Sequence, residues 1–347
     1  MRIAIVNDLS IAIEAIRRVL VTAGHEVVWV ARTGTDAVKK CAEDTPDLIL
    51  MDLVMPEMDG AEATRRIMAA TPCPILVVTA VVEDHTERVF DAMGAGALDA
   101  VKTPVLGATD SKGSAMLLEK IDMLGRRIND PNRTQKLPSV PGPADSIAAK
   151  QNQLVVIGAS AGGPIALVEI LDSLPKDFPA AIVIIQHVDV QFTPSLVDWL
   201  NQHSRLPVLL ACQGDKPTTG TVFMASTADH LVFLNKDTLG YTHDPVDSIY
   251  RPSVDVFFQS VVKHWCGKVV GVLLTGMGRD GAKGLKALRE AGNHTIAQDR
   301  ASSAVYGMPK AAATLEAAVD ILPLNQIGPA LQKIFVPPSI KEAASIL

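Results

Sequence analysis

Three side chains in the second half of this 347-residue chain could carry out nucleophilic acyl transfer. Ser160 lies in Gly158-Ala159-Ser160-Ala161-Gly162-Gly163-Pro164, between the apolar run Leu154–Ile157 and the helix-period segment Ile165–Leu171. A serine on such a turn meets free backbone N–H groups and the positive end of a helix dipole, which stabilise negative charge developing nearby. Gly-x-Ser-x-Gly is also the pattern of a nucleophile elbow. The glycines alone would equally cradle a phosphate or a dinucleotide. His187, at the end of Ile184-Ile185-Gln186-His187, and Asp280, in Thr275-Gly276-Met277-Gly278-Arg279-Asp280-Gly281, tip the reading toward serine chemistry. A lone histidine is more often structural, but here serine, histidine and acid all follow buried apolar runs. Their order differs from the Ser…Asp…His of α/β-hydrolases and disfavours that fold. A nucleotide site lacks its acidic ribose partner, since His187 stands at the end of the next strand.

The first half carries a different set. Asn7-Asp8 follows Ile3–Val6, Asp52 follows Leu48–Met51, Thr79 follows Ile75–Val78, and Lys102-Thr103-Pro104 follows Ala97–Val101. Asp8 and Asp52 supply hard oxygen ligands suited to Mg²⁺, which keeps several waters and takes few carboxylates. A carboxylate beside such an ion can accept a phosphoryl group.

Both sets require strands that end together. Short aliphatic runs alternate with the helical spacing of Ile11–Ala23, Thr35–Glu43, Ala61–Ala70 and Glu83–Met93, which predicts a parallel sheet covered on both faces. Leu154–Ile157, Ala181–Ile185, Val208–Leu210, Thr221–Met224, His230–Phe233 and Val269–Leu274 repeat the pattern. The expected fold is α/β throughout: a doubly wound five-stranded parallel domain, then a doubly wound, mainly parallel second domain. Between them Asn129–Gln153 holds Asp130-Pro131-Asn132, Pro138 and Pro141-Gly142-Pro143 without periodicity, as a linker does. The expected boundaries are 1–124, 125–152 and 153–347.

Composition narrows the classes. A 48% hydrophobic and 20% charged chain builds real cores, and a net charge of −6 without a large basic excess argues against a duplex-DNA reader. Cys41, Cys73, Cys212 and Cys266 lack metal-ligand spacing and read as buried thiols in a reducing compartment. No apolar stretch resembles a signal peptide or a membrane span, so the expected location is cytoplasmic, without membrane insertion or nucleic acid.

Asp52-Leu53-Val54-Met55-Pro56-Glu57-Met58-Asp59-Gly60 resembles the phosphoacceptor loop of response-regulator receiver domains. Gly158–Gly163, Gln186-His187, Tyr250-Arg251-Pro252-Ser253-Val254-Asp255, Thr275–Gly281, Ala297-Gln298-Asp299 and Val305-Tyr306-Gly307-Met308-Pro309 resemble the catalytic domain of the CheB family of chemoreceptor glutamate methylesterases. The Asn7-Asp8 start and the Ala100–Pro104 segment resemble in particular its WspF-type branch, wired to surface sensing.

The resemblance implies that Asp52 is phosphorylated, that Asp8, Asp52 and the Val54 carbonyl hold Mg²⁺, and that Thr79 is the switch hydroxyl. In the second domain it implies Ser160 as nucleophile, His187 as base, Asp280 as the orienting acid and the Met277 N–H in the oxyanion hole, with no cofactor. Arg251, Asp255, Asp299 and Tyr306 are expected either to line the cleft or to form structural ion pairs and caps. The implied activity is hydrolysis of glutamate methyl esters on methyl-accepting chemotaxis proteins, with deamidation of receptor glutamines. A CheA-type histidine kinase would be the phosphodonor, and an unphosphorylated receiver would cover the esterase cleft. Three positions depart from the family: Asn7 replaces an acid, Thr103 stands where the phosphoryl-contacting lysine is usual, and Ala161 replaces a threonine. They sustain one alternative, a phosphorylation-responsive binding module with an inactive esterase half.

Overall fold

Aliphatic runs too short for helices and flanked by turn residues form the strands that carry the first set of polar residues. The computed structural model describes residues 1–79, 86–104, 111–129 and 153–335, and the chain divides into two units, Met1–Leu137 and Pro138–Leu347. The first unit runs β1 (Arg2–Val6), α1 (Ser10–Thr22), β2 (Glu26–Ala31), α2 (Gly34–Glu43), β3 (Leu48–Met51), α3 (Gly60–Ala70), β4 (Ile75–Thr79), α4 (Thr86–Gly94), β5 (Asp99–Lys102) and α5 (Ser111–Asn129). All its strands pair in parallel in the order β2-β1-β3-β4-β5. Central β3 and β4 are buried on both faces, which is why their sequences are unbroken apolar runs rather than alternations. Thr33 and Asp59 start α2 and α3 by accepting from the N–H groups of Asp36 and Glu62. The strand order reverses between β1 and β3, and a crevice opens there at the carboxyl ends.

The second unit continues with β6 (Gln153–Ala159), α6 (Gly163–Ser173), β7 (Ala181–Gln186), a short 3₁₀ turn (Val190–Phe192), α7 (Thr193–His203), β8 (Val208–Leu210) and β9 (Val222–Met224). Next come β10 (His230–Phe233), β11 (Leu239–Thr242), α8 (Val254–His264), β12 (Lys268–Leu273), α9 (Ala282–Glu290), β13 (His294–Gln298), α10 (Met308–Thr314), β14 (Asp320–Leu322) and α11 (Leu324–Phe335). Seven strands form a parallel sheet ordered β14-β13-β12-β6-β7-β9-β8, while β10 and β11 make a separate antiparallel hairpin. The order reverses between β12 and β6, so right-handed crossovers place α6 and α9 on opposite faces. One face buries Val156, Val183 and Ile185 against Phe257 and Phe258 of α8, Leu285 and Leu288 of α9, and Phe233 of the hairpin. Each such fully buried side chain contributes about 1.5–3 kcal/mol.

The parallel α/β architecture is as expected in both units, and several local readings change. Helix α5 continues through Asn129, so 125–129 are helical; 130–152, most of the expected linker, lie outside the described residues. Cys41 and Cys73 are buried, but Cys212 and Cys266 are exposed, because both stand in loops at sheet and helix ends rather than on a core face. Among the described residues no helix is long and apolar enough to cross a membrane.

Candidate active site

Strand pairing brings the serine and the histidine together. In the β6/β7 ladder Ala159 pairs with Gln186, so Ser160 and His187 are the next residues on adjacent parallel strands. Interstrand spacing is about 4.8 Å, within reach of two side chains. The His187 N–H donates to the Ala159 carbonyl (2.9 Å), and Gln186 Nε2 ties the two loops by donating to the carbonyls of Ser160 (2.9 Å) and His187 (3.0 Å). Behind the serine, Gly162 has φ +76°, a left-handed conformation that the turn into α6 requires. Gly276 leaves room for it, since a Cβ there would lie 2.8 Å from Ser160 Cβ and 2.3 Å from Met308 Sδ. The Ser160 N–H donates to the Thr275 carbonyl (3.1 Å), joining the β6 and β12 loops across the switch point.

Asp280 reaches the histidine from the loop after β12. His187 Nε2 lies 2.9 Å from Asp280 Oδ2, and His187 Nδ1 is buried with no hydrogen-bond partner. Nε2 therefore carries the proton donated to the acid, and Nδ1 keeps a free lone pair. Asp280 also accepts from Ser253 Oγ (2.9 Å) and from the backbone N–H groups of Val254 (2.7 Å) and Asp255 (3.1 Å). These donors are the N-terminus of α8, where orphan N–H groups and the helix dipole favour an anion. Burial alone would raise the Asp280 pKa, but the His187 hydrogen bond and charge and the α8 N–H groups together hold it below the ordinary carboxylate value. Neighbouring Asp255 moves the other way, raised to about 7 by burial and by the Asp280 charge.

Two aromatic side chains support this arrangement. Tyr250 stacks on His187, ring centroids 4.7 Å apart and 15° from parallel. His230, fully buried, accepts the Ser253 N–H at Nδ1 (3.1 Å) and points Nε2 at the Pro245 carbonyl (3.3 Å), which fixes a neutral ring behind the α8 N-cap. Sequence reasoning gave no role to Ser253, His230 or Tyr250, all of which support the site, although Tyr250 and Ser253 stand in one of the motifs that carry the family resemblance. Ser253 had a readable signal, a serine just before an apolar helix start, which fits its N-cap bond to Val256 N–H (3.3 Å). The other expected cleft residues separate. Asp255 accepts from Gly284 N–H (2.7 Å) and caps α9, Asp299 closes a turn on Ser302, and exposed Arg251 bonds the Val246 carbonyl. Met277 and Tyr306 are half-buried on the loops around Gly276, which pairs with Tyr306 in an isolated bridge.

In the first unit Asn7, Asp52 and Thr79 are buried at neighbouring strand ends, and Asp8 is half-buried beside them. Asn7 Nδ2 donates to Asp52 Oδ2 (2.9 Å), Asn7 Oδ1 accepts from Leu9 N–H (2.9 Å), and Asp52 Oδ1 accepts from Leu53 N–H (2.7 Å). The amide thus holds the carboxylate directly instead of adding a second charge to it. The expected ligands, the Asp8 and Asp52 carboxylates with the Val54 carbonyl, would make a lean oxygen set that suits Mg²⁺ and its retained waters. Among the described residues no cluster of three or more His, Cys, Asp or Glu side chains offers a richer metal site. Strand β5 ends at Lys102, whose side chain is exposed and makes no hydrogen bond or ion pair among the described residues. Thr103 follows, half-buried, its N–H donating to the Thr79 carbonyl (2.9 Å).

Replacing Asn7 by aspartate would set two carboxylates against each other about 3 Å apart, which cannot both ionise without a cation. Asn7→Asp is expected to lower thermal stability in chelator by about 1–3 kcal/mol and to make the midpoint rise more steeply with Mg²⁺ than in the parent. Identical Mg²⁺ responses in calorimetry would contradict the arrangement.

Comparisons with known proteins agree with this geometry. The family described as CheB methylesterase matches residues 155–331, and the response regulator receiver domain matches residues 3–108. A Pseudomonas syringae pv. syringae protein named protein-glutamate methylesterase/protein-glutamine glutaminase 2 is 55% identical, over 96% of this chain and 99% of its own length. A Mesorhizobium japonicum protein named protein-glutamate methylesterase/protein-glutamine glutaminase is 54% identical, over 94% of this chain and 97% of its own. The solved Thermotoga maritima CheB methylesterase catalytic domain superposes with a TM-score of 0.51 at 35% identity, covering 53% of this chain and 98% of that one.

Proposed function

The chain belongs to the CheB methylesterase family, with a response regulator receiver domain ahead of the esterase domain, and from that premise we propose that Ser160, His187 and Asp280 hydrolyse glutamate methyl esters on chemoreceptors under control of Asp52 phosphorylation. The observation that carries the reading is the His187 ring: Nε2 bound to a four-donor Asp280, Nδ1 unpartnered, one strand spacing from Ser160.

Ser160 Oγ attacks the ester carbonyl carbon as His187 Nδ1 takes its proton, and Asp280 stabilises the imidazolium through Nε2. The Met277 N–H faces the developing oxyanion from the glycine-lined β12 loop. His187 returns the proton to the departing methoxide, which leaves as methanol. It then takes a proton from water, which attacks the acyl-enzyme carbonyl; the C–Oγ bond breaks, His187 passes the proton to Ser160 Oγ, and glutamate is freed. With a glutamine side chain the same steps release ammonia. Ala161 leaves no hydroxyl beside the histidine, and the Tyr250 stack and the Asp280 bond orient the ring instead.

In the receiver, Asp52 is the phosphoryl acceptor and Thr79 the hydroxyl that meets the transferred group. Asp8, Asp52 and the Val54 carbonyl would hold Mg²⁺, whose charge when bound offsets that of the phosphoryl oxygens. A histidine kinase of the chemoreceptor pathway is the proposed phosphodonor. The test is methanol release from methylated receptor membranes, with and without a small-molecule phosphodonor and Mg²⁺. Release should rise with phosphodonor in the parent and stay at the basal level in Asp52→Ala. Stimulation that survives Asp52→Ala would refute the control by Asp52. No release from folded protein on matching receptors would favour the binding-module alternative.

A further inference from the structure

At the end of the first sheet away from Asp52, two thiols touch. Cys41 lies in the last turn of α2, and Cys73 in the Thr71–Pro74 connection that enters β4. Their Sγ atoms are 3.7 Å apart, Cys41 fully buried and Cys73 6% exposed. Thr71 Oγ1 donates to Cys41 Sγ (3.5 Å), and the Cys41 sulfur also lies 3.9 Å from the Thr71 carbonyl. Buried cysteines often serve only as small apolar side chains. Sulfur-to-sulfur contact with a hydroxyl donor on one of them is a more specific arrangement, because it lets the pair share one proton. The hydrogen bond from Cys73, helped by Thr71 and opposed by burial, lowers the Cys41 thiol to about 6, and the same bond with burial raises Cys73.

We propose that Cys41 and Cys73 are a reversible oxidation site, which a hydroperoxide converts to an intramolecular disulfide tying the end of α2 to the entry of β4. The reagent approaches past Cys73 and its half-exposed flank at Thr71 and Pro74. The Cys41 thiolate attacks the peroxide, the O–O bond breaks, and an alcohol (or water, from hydrogen peroxide) leaves with Cys41 as the sulfenic acid. Cys73 sulfur then attacks the Cys41 sulfur, the S–O bond breaks, and the hydroxide leaves as water with the Cys73 proton. Two thiols and one hydroperoxide become one disulfide, one alcohol and one water, the two electrons passing from sulfur to the O–O bond. Closure brings the sulfurs to about 2.05 Å, a shift taken up by the short connection between α3 and β4. Strand β4 runs from this pair to Thr79, so the tether grips the strand that carries the proposed switch hydroxyl.

The experiment uses the full reduced chain at low concentration, treated with hydrogen peroxide, alkylated, and mapped as peptides without reduction. The expected product is a Cys41–Cys73 peptide and an intact monomer lighter by two hydrogens. Dithiothreitol should reverse the change, and Cys41→Ser and Cys73→Ser should each abolish it. The oxidised chain should also melt several degrees higher, as closing a loop restricts the unfolded state. Exposed Cys212 and Cys266 are internal controls for simple accessibility. Oxidation confined to those two, over-oxidation of Cys41 or Cys73 without a link, or full alkylation of both would overturn the proposal. Mapping the parent chain decides the matter even if a serine variant fails to fold.

Discussion

A Ser160→Ala enzyme should fold like the parent and release methanol roughly 10⁴- to 10⁶-fold more slowly. The backbone of Ser160 holds the site, its N–H on Thr275 and its carbonyl under Gln186 Nε2 and the Gly163 N–H, and alanine keeps all three bonds. Its Oγ has no hydrogen-bond partner among the described residues, so the melting temperature should stay within the change expected for about 0.5 kcal/mol. The assay is methanol release beside a thermal scan. Substantial activity in a well-folded Ser160→Ala would remove the nucleophile from the mechanism, while a large loss of stability would show that the hydroxyl is structural.

Asp280→Asn should damage both properties, and the contrast separates the acid from the serine. Each carboxylate oxygen of Asp280 receives two donors, His187 Nε2 and Val254 N–H on one side, Ser253 Oγ and Asp255 N–H on the other. Either orientation of an asparagine places its NH₂ against two of them. We expect a loss of about 10⁴-fold in kcat from the misplaced histidine tautomer, and about 3 kcal/mol of stability from the unmet donors. The pH dependence has a definite sign. The folded carboxyl lies below its unfolded value, so the unfolded chain binds the proton more readily as pH falls. The stabilisation is complete above about pH 4, near the unfolded carboxylate value, and is lost as pH falls below it. Urea unfolding of both proteins should show their stability gap shrinking on acidification. A gap independent of pH between 3 and 6 would mean that Asp280 is not held as the anion.

Much of this was legible from residue order, and the reason is geometric. In parallel sheets each strand delivers its next residue to the same edge. Polar residues after apolar runs, such as Asp52 after Leu48–Met51 or His187 after Ile184–Gln186, therefore point to one crevice before any side chain is placed. Helix α5 escaped because Gly113, Ser114 and Gly125 interrupt its apolar spacing, and tertiary packing on the sheet, not propensity, makes it a helix. Tyr250 and His230 were illegible for another reason. His230 opens β10 and Tyr250 lies in the connection from β11 to α8, far along the chain from His187, and neither stacking nor a bond to a backbone N–H can be read from local sequence. Asp255 and Asp299 had suitable chemistry but their bonds go to Gly284 and Ser302, which only the folded loops show.

The second sheet begins and ends on strands of three residues, β14 at one edge and β8 at the other, with Pro207 directly before β8 and the Asp320 carboxylate of β14 held by His294 (2.8 Å). An incoming chain finds only a brief row of free N–H and C=O groups there, bordered by a proline or a charge, too little to extend the ladder. A concentrated enzyme should therefore resist adding strands from its neighbours, and its longer, mostly apolar strands β6, β7 and β12 stay in the middle of the sheet, paired on both sides.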